Sequence, residues 1–153
     1  MQNNHDQIGK IFGVETDMIT KYLIGYIATG ISFAVIDSFW LRTMYTRLYV
    51  PEIGPVLMNG MRLGPAIAFY LLYILGIMVF AVGPAFTSGK WQTALIQGAM
   101  LGFFCYMTYD LTNYATLKVW SLKVTILDMI WGTFLTGSAA AAGYWITASI
   151  TGK

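Results

Sequence analysis

Asp37, Asp110 and Asp128 are the residues of this chain best placed to do chemistry, because each lies inside or at the edge of a long apolar run. A carboxylate in such a run is costly to bury and usually faces a bundle interior, a watery cavity or a partner. There it accepts hydrogen bonds, exchanges a proton or attracts a cation. The other reactive side chains are scarce. His5, the sole histidine, sits in a polar stretch and reads as solvated, while Cys105, the sole cysteine, sits in an apolar one and reads as a small packing residue. Neither a His/Cys metal site nor an intrachain disulfide can be built from them. Carboxylates alone can ligate Mg²⁺ or Ca²⁺, but these three follow no recognised spacing, so no metal and no cofactor is expected.

Motifs of soluble enzymes are missing. The sequence has no phosphate-cradling glycine loop, no nucleophile elbow and no basic aromatic surface of the kind that binds nucleic acid. Enzymatic activity is therefore left open but not favoured, and nucleic acid is not an expected partner.

The elements that must position the aspartates follow from composition. With 57% hydrophobic, 16% aromatic and only 10% charged residues, a soluble fold would lack polar surface. A span needs roughly 20 apolar residues, and four windows qualify, at residues 21–41, 64–83, 91–111 and 124–147. Lipid leaves no partner for open backbone, and the runs lack the alternation of barrel strands, so the spans should be helices. The expected fold is all-α, an integral membrane four-helix bundle with antiparallel sequential spans. Residues 1–20 form a polar N-terminal segment without the basic start of a secretory signal, and residues 21–153 a four-span membrane domain. Between the first two spans, Pro51, Gly54, Pro55 and Gly60 suggest an interfacial loop, and Pro84, Ser88 and Gly89 mark the second connection.

On this frame the three aspartates fall toward one membrane face. Asp37 precedes the end of span one, and Asp128 follows the start of span four, each by about a turn or roughly 6 Å. Asp110 closes span three at a similar level. Tyr70 and Tyr73 enter span two from that face, and Tyr106, Tyr109 and Asn113 surround Asp110. On span three, Gly98 and Gly102 form a small-xxx-small pair whose stripe continues through Tyr106, Asp110 and Asn113. Asp128, Gly132, Thr136, Ala139 and Gly143 are spaced comparably on span four, so the two helices should pack on each other. Basic residues number five on the loop side (Arg42, Arg47, Arg62, Lys118, Lys123) and four on the terminal side (Lys10, Lys21, Lys90, Lys153). The excess places the termini outside the cytoplasm and the acidic end toward it. A purely structural account competes with a pocket. Tyr and Trp collect at membrane interfaces, and an Asp near a helix end can cap backbone or pair with Arg42, Arg62, Lys118 or Lys123.

Four blocks carry a family resemblance. They are Ile36, Asp37, Ser38, Phe39, Trp40, Leu41; then Phe69, Tyr70, Leu71, Leu72, Tyr73; then Thr108, Tyr109, Asp110, Leu111, Thr112, Asn113 running on to Lys118; and Asp128, Met129, Ile130, Trp131, Gly132. In this order they resemble the DUF2177 family of predicted membrane proteins, with the Tyr-Asp-Leu-Thr-Asn block the most specific. The resemblance implies a compact bacterial-type four-span protein of the inner membrane and places Lys118 and Trp131 among the motif residues. It supplies no substrate.

The leading expectation is a binding or partner-interaction module that uses an acidic, aromatic pocket at one membrane face, formed by Asp37, Tyr70, Tyr73, Tyr106, Tyr109, Asp110, Asn113, Lys118, Asp128 and Trp131. Its partners would be membrane lipid and a second copy or larger membrane complex. Two alternatives stand beside it. One is a small proton-coupled transporter acting as a dimer, since a membrane carboxylate can alternate between proton and cationic substrate. The other is a lipid-modifying enzyme or its subunit, with Asp110 or Asp128 as general base.

Overall fold

The computed structural model describes the backbone of residues 2–152 and the side chains of residues 16–152. Every regular element among them is helical. Helix α1 (Gln2–Met44) passes through a π-helical turn (Tyr45–Tyr49) into the short α2 (Val50–Ile53) and a 3₁₀ turn (Gly54–Val56). Helix α3 (Leu63–Ile77) passes through a second π-helical turn (Met78–Val82) into α4 (Gly83–Ser88). Helices α5 (Trp91–Thr116) and α6 (Leu122–Thr151) complete an all-α bundle of four long rods. From Gln2 onward the polar segment at residues 1–20 is part of α1, and its side chains before residue 16, His5 among them, lie outside the described residues.

Three rods are long and apolar enough to cross a membrane: Thr16–Val56, Leu63–Ser88 and Leu122–Thr151. Helix α5, with 26 residues, is about 39 Å long at 1.5 Å per residue and so has the length. Gln92, Gln97, Thr108, Asp110 and Thr112 make it less apolar, and it is not among those three.

Two boundaries differ from the sequence expectation, for one physical reason. The sequence predicts a loop over residues 42–63, with Pro51 breaking the helix, and has Pro84 open the second connection. Both prolines instead continue a helical rod. A proline ring clashes with the carbonyl four residues earlier and offers no N–H. Here each proline follows a π turn, in which Val50 N–H bonds to Tyr45 O and Gly83 N–H to Met78 O, five residues back. The widened turn carries the chain past the carbonyl that would otherwise be blocked. The second connection therefore shrinks to Gly89 and Lys90, where Gly89 at φ +67° ends α4 in the left-handed conformation that glycine adopts without a Cβ penalty.

The inward faces are marked by small and polar residues, not by hydrophobicity, as expected where lipid and protein interior are equally apolar. On α1, Ile27, Ile31 and Val35 face outward while Thr29, Phe33 and Asp37, at four-residue spacing, are buried. Helices α5 and α6 share the largest contact in the molecule. A Cβ on Gly98 would come within 2.8 Å of Ala140 Cβ, and one on Gly102 would strike the Gly132 carbonyl. Gly132 itself lies under the Tyr106 ring, and Gly143 makes its close approach to Thr29 of α1. Contacts run in opposite sequence order along neighbours, as antiparallel helices require. Tyr22 meets Phe86, Thr29 meets Met78 and Asp37 meets Tyr70; likewise Trp91 meets Trp145 and Tyr109 meets Trp120. The main core gathers Phe33, Ile77, Val82, Leu135 and Ala139, and a smaller cluster joins Leu48 and Ile53 to Val124.

Candidate functional site

The inward stripe of α1 delivers Asp37, 7% exposed, to the place where α3 and α6 approach. Tyr70 of α3 donates to Asp37 Oδ2 at 2.6 Å, and Trp131 Nε1 of α6 lies 3.4 Å from Oδ1. One turn on, Trp40 stacks on Trp131 with ring centroids 4.3 Å apart and planes 8° from parallel. Two neutral donors and an aromatic wall thus hold the carboxylate. Among the described residues no Lys or Arg pairs with it.

The segment after α1 folds back over this end. Trp40 Nε1 donates to the Tyr49 hydroxyl at 2.9 Å, and that hydroxyl donates to Asp128 Oδ1 at 2.7 Å. Glu52 accepts from Ser121 Oγ at 2.6 Å and pairs with Lys123 Nζ at 3.1 Å, while Ser121 Oγ caps the start of α6 by accepting from the Lys123 N–H. The π turn is what lets this cap form, because it re-aims Tyr49 toward α6 while Leu48 and Ile53 settle on Val124.

Asp110 stands apart. It is fully buried, and neither of its carboxylate oxygens has a hydrogen-bond partner in the structure. It lies near the end of α5, Asp128 lies near the start of α6, and Asp37 sits beside Trp131 of α6. All three aspartates therefore occupy the same end of the bundle, yet among the described residues no group of acidic, His or Cys side chains is arranged to hold a metal.

The residues picked from the sequence separate accordingly. Asp37, Tyr70, Tyr106 and Trp131 line one recess of ≈ 290 Å³, bounded also by Trp40, Tyr49 and Phe69. Asp128 does not line the recess and is joined to that group by the Tyr49 hydroxyl. Tyr73 bonds Thr136 Oγ1 at 3.0 Å, deeper in the bundle. Tyr109 is 60% exposed with its ring edge-on to Trp120, Asn113 is half-buried and Lys118 is exposed. None of Tyr73, Tyr109, Asp110, Asn113 and Lys118 lines the recess. Sequence reasoning passed over Trp40, Tyr49 and Phe69. The available signal for Trp40 was its four-residue spacing from Ile36 and three-residue spacing from Asp37, which set it near the carboxylate on one helix face.

This arrangement defines the class: a helical membrane protein with three buried aspartates at one end of the bundle, one of them walled by aromatic rings. The family model for predicted membrane proteins, DUF2177, matches residues 22–145, and the chain belongs to that family. The matched stretch includes every residue of the recess. No curated protein and no solved structure matches the chain.

Proposed function

We propose that this protein is a non-catalytic membrane module that binds an amphiphile in the recess between α1, α3 and α6. The observation that carries the reading is the recess beside Asp37, whose walls are aromatic and whose mouth includes the outward-facing Phe69 and Met61. At ≈ 290 Å³ it sits at the small end of ligand pockets, which run from about 300 Å³ upward. That volume suits a head group and its first methylenes, with the remaining chain left in lipid. Membrane lipid is the partner class this implies, and the exposed polar residues of α5 leave room for a second copy or a larger membrane complex. Five loop-side basic residues against four terminal-side ones support termini outside the cytoplasm.

Ala66, half-buried in the recess wall, provides the test. Purified protein in maltoside detergent is titrated with n-dodecanol while the fluorescence of Trp40 and Trp131 is followed. Wild type should show a saturable change that Ala66→Trp, by filling the recess, abolishes without lowering thermal stability. A titration unaltered in a folded Ala66→Trp variant would show that the recess is not the binding site.

A further inference from the structure

Resting on the binding reading above, we infer that the recess selects an organic ammonium head group carried on an apolar chain. Three observations combine. Asp37 is buried and, among the described residues, its charge is met only by the neutral donors Tyr70 and Trp131, one of them at the long distance of 3.4 Å. A carboxylate oxygen has two acceptor sites, so Oδ1 has capacity for another donor. Six aromatic residues, Trp40, Tyr49, Phe69, Tyr70, Tyr106 and Trp131, surround the same space. Ring faces carry negative quadrupole density and attract cations, most strongly where water is excluded, which is how aromatic cages recognise alkylated ammonium groups. Finally, among the described residues no Lys, Arg or His lines the recess.

The last point discriminates among head groups. A phosphate or carboxylate head would meet Asp37 with no basic residue to offset the repulsion, and a neutral alcohol would leave the carboxylate charge unmatched. An ammonium meets both the carboxylate and the rings. Its alkyl substituents occupy the apolar walls, and its chain leaves past Phe69 and Met61, which face outward with 45% and 70% exposure. The second acidic group at this end, Asp128, is engaged by Tyr49 and does not line the recess, so the charge that selects the ligand is that of Asp37.

The experiment compares protonated dodecyldimethylamine, which carries one N–H for Asp37 Oδ1 to accept, with n-dodecanol, each below the concentration at which it aggregates, on the full chain in maltoside detergent, with empty micelles subtracted. Wild type should bind the ammonium on the order of tenfold or more tightly than the alcohol, the factor that a charge-assisted contact supplies. Asp37→Asn, which keeps an acceptor for Tyr70, should bring the two affinities together. In a folded Phe69→Leu variant, ammonium binding should weaken about threefold or more and dodecanol binding by less, since only the cation loses a ring face. Equal affinities in wild type, or ammonium preference persisting in folded Asp37→Asn, would overturn the inference yet leave the binding reading standing. Failure of both probes to bind wild type would overturn the two together.

Discussion

The Tyr49 hydroxyl donates a 2.7 Å hydrogen bond to Asp128 across 79 residues of sequence, joining the segment that follows the first rod to the start of the last. The same hydroxyl accepts from Trp40 Nε1. Removing it leaves one carboxylate oxygen and one indole N–H without partners in a part-buried site, at about 1–3 kcal/mol for a group so stranded. Tyr49→Phe should therefore lower the thermal midpoint in detergent clearly more than Tyr45→Phe, whose ring is 49% exposed. Equal midpoints would mean that the bond does not hold the cap.

Asp110 should behave in the opposite way. A fully buried carboxylate with no hydrogen-bond partner has no interaction to lose, and replacing an uncompensated polar group by a neutral one of similar shape is neutral or stabilising. Asp110→Asn is expected to leave stability unchanged or raise it, whereas Asp128→Asn, which weakens the acceptor of Tyr49, should lower it. Chemical denaturation of the two variants side by side decides the matter. A loss of stability in Asp110→Asn would reveal a partner for that carboxylate.

The α5–α6 contact yields a third expectation. A Cβ at Gly102 would meet the backbone carbonyl of Gly132, which cannot rotate aside as a side chain can, while a Cβ at Gly76 would meet nothing within 4 Å. Overpacking of this kind costs about 1–3 kcal/mol, and alanine in an open helix position gains roughly 0.5–1 kcal/mol over glycine. Gly102→Ala should thus destabilise the protein and Gly76→Ala should not, as read by thermal unfolding in the same detergent. Similar midpoints would contradict the close backbone approach.

A fourth concerns the cap at Glu52. Lys123 is 62% exposed, and exposed ion pairs are weakened by solvent and contribute little to stability, so Lys123→Met should change little. Glu52→Ala also removes the acceptor of Ser121 Oγ, which itself caps α6. It should speed amide hydrogen exchange across residues 45–56 where Lys123→Met does not. Identical exchange in the two variants would assign the restraint to the ion pair alone.

Much of this architecture was legible in the residues. The apolar runs gave the rods, and the small-residue spacing of Gly98, Gly102 and Gly132 gave the α5–α6 face, because close backbone approach leaves a visible trace in residue size. Gly143 carried the same signal but packs on Thr29 of α1, since spacing tells that a face is inward without telling which neighbour covers it. The cap was not legible. Pro51 read as an end of helix, and nothing near Tyr49 in sequence points to Asp128. The recess was half visible for a related reason: Asp37 and Tyr70 stand out as polar atoms in apolar runs and Trp131 through the family blocks alone, whereas Phe69 is one apolar ring among many until its neighbours are placed.

Each π turn holds one residue more than the α-helical repeat allows, and this gives the rod containing Met78–Val82 a phase step. One extra residue advances the helix by about 100°, so the surface that α4 turns toward Tyr22 is offset from the one that a steady repeat carried on from α3 would supply. Deleting a single residue within Met78–Val82 would restore an unbroken repeat, bring the Pro84 ring against the carbonyl before it and swing Phe86 off the Tyr22 ring it now meets edge-on at 5.5 Å. In a lineage of such chains, length at this point would be fixed as firmly as any side chain, and single-residue gaps would be tolerated in residues 57–62 but not here.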